Sequence, residues 1–363
     1  MAKSREKMKI WIQSMSFSAI DLFCGAGGLT CGLKDAGFKV LAGVELEAVA
    51  AKTYKANHPE HLLYEADIRS LDPLKIMQEL QLVAGELDLL AGCPPCQGFS
   101  SHRTRNKCTS VQDFRNDLIF DLMRFVRAFA PKTVMIENVP ALAKDDRIVK
   151  VIAELHELGY VIGERTLQVK DTASYGVPQR RRRMILIASK FGDIEEPSKV
   201  NSPKTVKDAI YTFPVPGSSG DILHDFIPNR TDKIKAMIRN VPKNGGSRSD
   251  LPKQYWLPCH LKNPEGYKDV YGRMSWDKVA PTITGGCTNP SKGRFLHPEQ
   301  DRSITLREAA ALQTFPKDYN FSLDRGREFA ALMIGNALPP AFICAHAVKI
   351  VEHLKCMEIQ ERE

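Results

Sequence analysis

Over the first half of the chain, short apolar runs alternate with stretches whose apolar positions recur at helical spacing. Residues 18–23 read as a strand, and a glycine-rich turn leads from it into a helix over about Gly28–Ala36. Val40–Glu45 reads as a second strand, with a helix through Ala48–Ala51 behind it. Leu62–Asp67 and Leu87–Ala91 are the third and fourth strands. A helix over Leu118–Ala130 precedes a fifth strand at Thr133–Ile136. A helix near Ile148–Leu158 then leads to two more strands, about Gly163–Val169 and Met184–Ala188. Strands alternating with helices predict an α/β fold, a parallel sheet covered on both faces.

The pattern changes after Phe191. Up to about Arg302, prolines and glycines are frequent and helical periodicity is weak. Asn244-Gly245-Gly246-Ser247 and Thr284-Gly285-Gly286 read as loops, so this stretch is expected to be a smaller, irregular second domain. Helical patterns return at Thr305–Gln313 and Arg325–Leu332. The last helix is entered at Pro339-Pro340, where proline suits the first turn.

Composition narrows the class. The 363 residues are 43% hydrophobic and 26% charged, which excludes a disordered chain and predicts one large domain plus a second. No apolar run is expected to reach the roughly 20 residues a membrane span needs. The first 17 residues lack the apolar core of a secretory signal, so a cytoplasmic protein is expected. The net charge is +8, and residues 201–300 carry 15 Lys/Arg against 9 Asp/Glu, which suggests an anionic partner. Nine cysteines without regular spacing read as free thiols in a reducing compartment. Cys93–Cys96 is the one C-x-x-C, and without a second cysteine or histidine pair at matching spacing no metal is expected.

In an open parallel sheet, ligands bind outside the carboxyl ends of the strands. Five predicted strand ends carry a polar or reactive group. Asp21 and Phe23 stand at the first, with the turn Gly25-Ala26-Gly27-Gly28; Glu45, Asp67 and Cys96 follow the next three, and Glu137 with Asn138 follows the fifth. The turn departs from G-x-G-x-x-G because Thr30 replaces the third glycine, which argues against a pyrophosphate cradle. Glu45, 18 residues past Gly27, is placed to hold ribose hydroxyls. An adenosine-bearing cofactor without a pyrophosphate fits both.

Cys96 has two readings. With Cys93 it mimics a thiol redox motif. The loop that follows holds Arg103, Arg105 and Lys107 with no acid over 101–110, which would lower a thiol's pKa or grip phosphates. Glu137, after an apolar run, is either a desolvated carboxyl of raised pKa or a cap or ion-pair partner. In the run Arg180–Arg183, strand alternation puts Arg181 and Arg183 on one face and Arg180 and Arg182 on the other.

These residues resemble the DNA (cytosine-5)-methyltransferases, bacterial type. Asp21–Gly28 is similar to that family's S-adenosylmethionine motif, and Pro94–Ser100 to its nucleophile motif. Glu137-Asn138-Val139 and Gln179–Arg183 resemble its base-holding motifs. Arg307–Ala310 with Leu312–Pro316 and Gly335-Asn336-Ala337 resemble its last two. The matches keep the family's order over residues 18–340. Two departures stand out: Cys93 occupies a variable position, and Leu46 follows Glu45 where some members have an aromatic. The Cys-Phe-Thr run of the tRNA-modifying branch is absent, which disfavours RNA as substrate.

The resemblance implies a Rossmann-like, S-adenosylmethionine-dependent domain over 1–190 and 303–363, with a target-recognition domain over 191–302. It implies Cys96 as nucleophile on a flipped cytosine of duplex DNA. Glu137 and Asn138 would belong to the base-holding set, and Arg183, supported by Arg181, would hold the base's O2 side. Cofactor contacts carried over are Asp21, Phe23, Gly25, Gly27, Gly28, Glu45, Asp67, Ile68, Pro94, Leu118 and Asn336. Asn336 lies so far along the chain that the last helix must pack back beside the first strand. Arg103, Arg105, Arg248, Arg273, Lys292 and Arg294 are the candidate DNA contacts. A monomer, with a cognate restriction endonuclease as functional partner, completes the expectation. A thiol oxidoreductase and a non-catalytic DNA-binding protein are the competing classes.

Overall fold

The computed structural model describes residues 16–95 and 117–360. The chain forms two compact units. The first comprises the chain up to Asp171, Arg182–Lys199 and the chain from Pro340 on; the second comprises Thr172–Arg181 and Val200–Pro339.

The first unit is an α/β domain around a seven-stranded sheet of order β3-β2-β1-β4-β5-β7-β6. Its strands are β1 (Phe17–Leu22), β2 (Phe38–Glu45), β3 (Leu62–Glu65), β4 (Leu89–Gly92), β5 (Thr133–Asn138), β6 (Leu167–Asp171) and β7 (Arg182–Ser189). β1 to β5 are mutually parallel, while β7 runs antiparallel to both β5 and β6. Helices α1 (Gly28–Asp35), α2 (Ala48–Asn57), α3 (Pro73–Glu79), α4 (Leu118–Phe129) and α5 (Asp146–Glu157) alternate with the strands. α4 forms because Ile119, Leu122, Met123, Val126 and Phe129 recur at helical spacing and all are buried. Its end is set by Ala130, whose φ of 44° leaves the helical region. Those side chains join Ile20, Leu22, Leu90, Val134 and Ile136 in one apolar cluster, each burial contributing about 1.5–3 kcal/mol.

The C-terminal helix Pro340–Gln360 packs on α1. Gly32 permits the approach, since a Cβ there would lie 2.5 Å from the Pro340 carbonyl oxygen. The expectation that no apolar run is long enough to span a membrane needs correction, because Gly326–Gln360 passes that test by length and composition. The stretch is broken at Ala337–Pro339, and it buries Ile334, Phe342, Ile343, Ile350 and Leu354 in protein.

The second unit is irregular. Its helices are α6 (Val206–Ile210), α7 (Asp232–Asn240), α8 (Pro258–Lys262), α9 (Leu306–Leu312) and α10 (Gly326–Asn336). A small apolar cluster of Met237, Ile238, Val241, Leu251, Tyr271 and Leu296 is supplemented by buried charge. Arg302 donates to both oxygens of Glu308 at 2.7 Å, and Arg307 pairs with Asp221 at 2.5 Å.

The units cut the chain elsewhere than the expected 1–190, 191–302 and 303–363. Residues 172–181 and 303–339 join the second unit. The reason is polar: Gln179 Nε2 donates to Gln313 Oε1 at 2.7 Å, and Arg181 donates to Ile283 O at 2.9 Å. Such buried bonds are invisible to a reading based on apolar periodicity.

Candidate active site

The strand order reverses between β1 and β4, the switch point at which open α/β sheets bind ligands. Register aligns Tyr64, Val44, Leu22, Gly92 and Ile136 across β3, β2, β1, β4 and β5. One residue further along each strand come Glu65, Glu45, Phe23, Cys93 and Glu137, a level row at the carboxyl ends. An extra residue on β2, Leu41, shifts the register from Ile20 onward and brings Glu45 level with Phe23.

The turn after β1 is built from left-handed residues. Phe23, Gly25 and Gly27 have φ of 62°, 53° and 90°. A bulky residue in that region costs about 1–3 kcal/mol and persists where the surroundings enforce it. Glu45 does part of the enforcing: Oε2 accepts from Gly25 N and Oε1 from Glu47 N, both at 2.8 Å. Burial raises the Glu45 pKa, and these amide donors partly offset the rise. Leu46 beside it is exposed. Asp67 starts the turn Ile68–Ser70, accepting from Arg69 N at 3.0 Å and pairing with the Arg69 guanidinium at 2.5 Å. Ile68 is buried, and Leu118 opens α4 packed on the core.

Asp21 is fully buried beneath the turn. Thr30 Oγ1 donates to Asp21 Oδ2 at 2.6 Å and meets Tyr54 OH at 3.1 Å. Asp21 is thus a support of the turn rather than a ligand-facing group. Its Oδ1 has no hydrogen-bond partner among the described residues, and burial pushes its pKa up to about 7. Thr30 and Tyr54 are site supports that the sequence reading missed. The one signal was Thr30 itself, standing where a dinucleotide motif would have glycine.

At β5, Glu137 is buried and its Oε1 lies 2.9 Å from Arg183 Nε. Ile185 is opposite Glu137 in the β5–β7 register, so Arg183, two residues away, shares its face. Asn138 is not aimed at a base: its Nδ2 donates to Pro94 O at 2.9 Å and its Oδ1 accepts from Val139 N. Pro94 is correspondingly held by Asn138. Burial, then the nearby Glu137, keeps the Cys93 thiol well above its ordinary pKa and hence protonated, which disfavours a redox pair. Cys96, Arg103 and Arg105 lie outside the described residues.

Arg181 departs from expectation. It precedes β7 and belongs to the second unit, where its guanidinium donates to Ile283 O and Gly335 O. There it supports backbone. Asn336 ends α10 in the same unit and is exposed.

Two candidate DNA contacts are corrected outright. Arg273 is fully buried and donates to the carbonyls of Ile238, Val241, His297 and Gln300 and to Asp301. Arg248 is buried against Trp256 and donates to Pro264 O and Gly266 O. Arg294 Nη1 bonds the carbonyls of Gly245, Gly246 and Arg273, while Lys292 stays exposed. In an irregular unit, looped backbone carbonyls need donors, and a guanidinium with its five N–H groups serves several at once.

Among the described residues, one cluster has metal-ligand chemistry: His58, Glu60 and His61, with ligand atoms within 4.8 Å of one another. Lys34 Nζ lies 2.5 Å from Glu60 Oε1 and 3.5 Å from His58 Nδ1, so the chain's own cation is seated on these donors.

The chain matches the family model of the C-5 cytosine-specific DNA methylases over residues 17–352. It is 35% identical to the Type II methylase M.HgiDII of Herpetosiphon aurantiacus, over 95% of this chain and 98% of that protein. It is 34% identical to the Type II methyltransferase M1.HphI of Haemophilus parahaemolyticus, over 95% and 89%. Its fold is similar to that of Entamoeba histolytica methyltransferase EhMeth, with a TM-score of 0.64 at 16% identity over 94% of this chain and 99% of that one. With most of its length matched in this way, the chain belongs to the C-5 cytosine-specific DNA methylases and is a DNA (cytosine-5)-methyltransferase.

Proposed function

We propose that this enzyme methylates carbon 5 of a cytosine flipped out of a specific duplex DNA sequence, through a covalent bond from Cys96 to carbon 6. S-adenosylmethionine is the proposed methyl donor. The observation that carries the reading is the level row of Glu45, Phe23, Cys93 and Glu137 at the switch point. It sets a hydroxyl-binding carboxylate and an aromatic beside a base-binding carboxylate and the strand that leads to Cys96.

The residues fit such a cofactor. Glu45 is fixed by two amides, and its carboxylate keeps lone pairs for ribose hydroxyls. Phe23, half-buried, offers a ring face for adenine. Gly25, Gly27 and Gly28 let backbone approach, and Asp67, Ile68, Pro94 and Leu118 complete the first-unit set, to which the resemblance adds Asn336. When bound, the cofactor supplies an electrophilic methyl group on a sulfonium.

Carbon 5 of cytosine is a poor nucleophile. Addition of the Cys96 thiolate at carbon 6 makes carbon 5 enamine-like, splitting one hard step into two easier ones. Glu137 holds the ring's N3 and amino group, sharing a proton as electron density flows to N3. Arg183, braced on Glu137, faces the O2 side. Fixing both ends of the ring edge stabilises charge as it develops. Once carbon 5 carries the methyl group, water or a weak base takes its proton, and the electron pair left behind expels the Cys96 thiolate from carbon 6. Extruding the base costs a few kcal/mol.

The named relatives are Type II enzymes. We read this chain as the monomeric partner of an endonuclease of the same target sequence, working at the chromosome in the cytoplasm. The test is Cys96→Ser, expected to abolish transfer of labelled methyl to duplex DNA while leaving cofactor binding, with Cys93→Ala only mildly impaired. Duplex containing 5-fluorocytosine should trap a covalent adduct. An active enzyme that never forms one, or equal damage at both cysteines, would refute the reading.

A further inference from the structure

One side of the first unit gathers nitrogen and oxygen donors around a cation. Lys34, in the last turn of α1, extends its ammonium to the link between α2 and β3. Its Nζ lies 2.5 Å from Glu60 Oε1 and 3.5 Å from His58 Nδ1. His61 Nε2 lies 3.2 Å from the same Glu60 oxygen. A surface Lys–Glu pair needs no imidazole, yet two converge on this one. All four residues belong to the first unit.

The rings are oriented from behind. An ammonium offers only donors, so His58 Nδ1 turns a lone pair toward Lys34. The same ring is hydrogen-bonded to the Gly27 backbone, and its Nε2 lies 3.8 Å from Cys31 Sγ. His61 Nδ1 meets Tyr54 OH at 3.0 Å, and Tyr54 OH meets Thr30 Oγ1, which donates to Asp21 Oδ2. With the Thr30 proton given to Asp21, Tyr54 donates to Thr30 and accepts from His61 Nδ1–H. His61 Nε2 then presents a lone pair beside a carboxylate, which is repulsive unless a cation lies between them. Each ring thus has one nitrogen fixed by a partner behind it and the other aimed at the cation, the pattern of metal-binding histidines. Burial lowers the pKa of both rings, that of His58 to about 4, and so keeps them in the neutral form that ligation uses. Glu60 and Lys34 are exposed, which leaves the site open to solvent.

We propose that His58, Glu60 and His61 form a binding site for a divalent transition metal of the zinc class, which displaces the Lys34 ammonium and completes its coordination with water. Two imidazoles and a carboxylate suit such an ion, whereas Mg2+ and Ca2+ take oxygen ligands. The three ligand atoms lie within 4.8 Å of one another. A tetrahedral ion with bonds of about 2.0–2.2 Å spaces its ligands about 3.4 Å apart, so a modest closure around the ion suffices. The site does not involve Cys93–Cys96, on which the expectation of no metal turned.

The test uses the untagged full chain, stripped of metal with a chelator and titrated with Zn2+ by calorimetry and with Co2+ by absorption. One equivalent of each is expected to bind. Bound Co2+ should show the visible bands of tetrahedral coordination and lack the near-ultraviolet charge-transfer band of a thiolate ligand, which separates this site from the nine cysteines. Glu60→Gln and His61→Gln should each raise Kd at least about tenfold, since even partners behind a ligand are worth that much. Lys34→Met should lower Kd about tenfold, because it removes the competing like charge. A cluster held together only by hydrogen bonds would gain no affinity for an ion when Lys34 is lost. Glu60 and Lys34 are exposed, so their variants decide the matter even if His61→Gln does not fold, and thermal unfolding checks each one. No binding, a thiolate band, a Kd unmoved by Glu60→Gln, or a Kd unchanged or raised in Lys34→Met would each overturn the site.

Discussion

Asn138 Nδ2 donates to the carbonyl of Pro94 at 2.9 Å, tying the end of β5 to the end of β4. Pro94 stands two residues before Cys96, so this bond fixes where the chain leaves the sheet toward the proposed nucleophile. Asn138→Ala and Asn138→Asp both remove the donor, while the aspartate keeps an acceptor for Val139 N. Both variants should lose about 100-fold in kcat, the scale of a 1 Å misplacement of a reacting group, with cofactor Kd unchanged. Steady-state methyl transfer and titration measure the two quantities. Full activity of Asn138→Asp would remove the bond from the mechanism.

Arg183 Nε and Glu137 Oε1 form a 2.9 Å pair on one face of the β5–β7 ladder. Glu137→Gln and Arg183→Ala should each lower the single-turnover rate about 100- to 1000-fold, the usual cost of deleting one donor or acceptor aimed at developing charge. Arg183→Lys should not restore the rate, since a compact ammonium does not reproduce the planar guanidinium beside Glu137. A lysine variant of wild-type rate would show that charge alone suffices.

Asp21 predicts a pH effect on stability. Burial raises its pKa from 3.8 to about 7. Between those values the folded chain holds a proton that the unfolded chain has released. The contribution is therefore present in full below pH 3.8 and is lost as pH rises through about 7. Asp21→Asn keeps an acceptor for Thr30 but cannot ionise. Urea unfolding should show the variant gaining on the wild type from pH 5 to pH 8. A pH-independent difference would mean that Asp21 does not titrate there.

Glu308 gives the opposite sign. Burial, the largest single effect, would raise its pKa, but Arg302, His297 and the Thr305 amide together outweigh it and hold the carboxylate below 4.5. Its contribution is present above pH 4.5 and is lost as pH falls through the lower folded value. Glu308→Ala strands the Arg302 guanidinium, at about 3–5 kcal/mol. Denaturant melts at pH 7 would show the loss, and a change under 1 kcal/mol would mean that Arg302 finds another partner.

Much of the first unit was legible as sequence. Periodicity placed β1, β2, α1 and α4 within two residues, because one buried face imposes period 2 on a strand and 3.6 on a helix. It could not show that β6 and β7 run antiparallel to their neighbours, since alternation carries no direction. In the second unit periodicity is weak, and the signal misled. Arg248 and Arg273 read as contacts for DNA but are spent on the unit's own carbonyls.

The sequence by itself determined which residue types stand at the strand ends, because the local pattern ends each strand and the next residues follow covalently. It also determined the family, through motifs in fixed order. Only the tertiary structure decided what those residues touch: Asn138 takes Pro94, Arg183 takes Glu137, and Arg181 takes Gly335 instead. Side-chain partners across strands depend on register, and register is set by a bulge at Leu41 and by pairings between segments far apart in the chain, which no local pattern encodes.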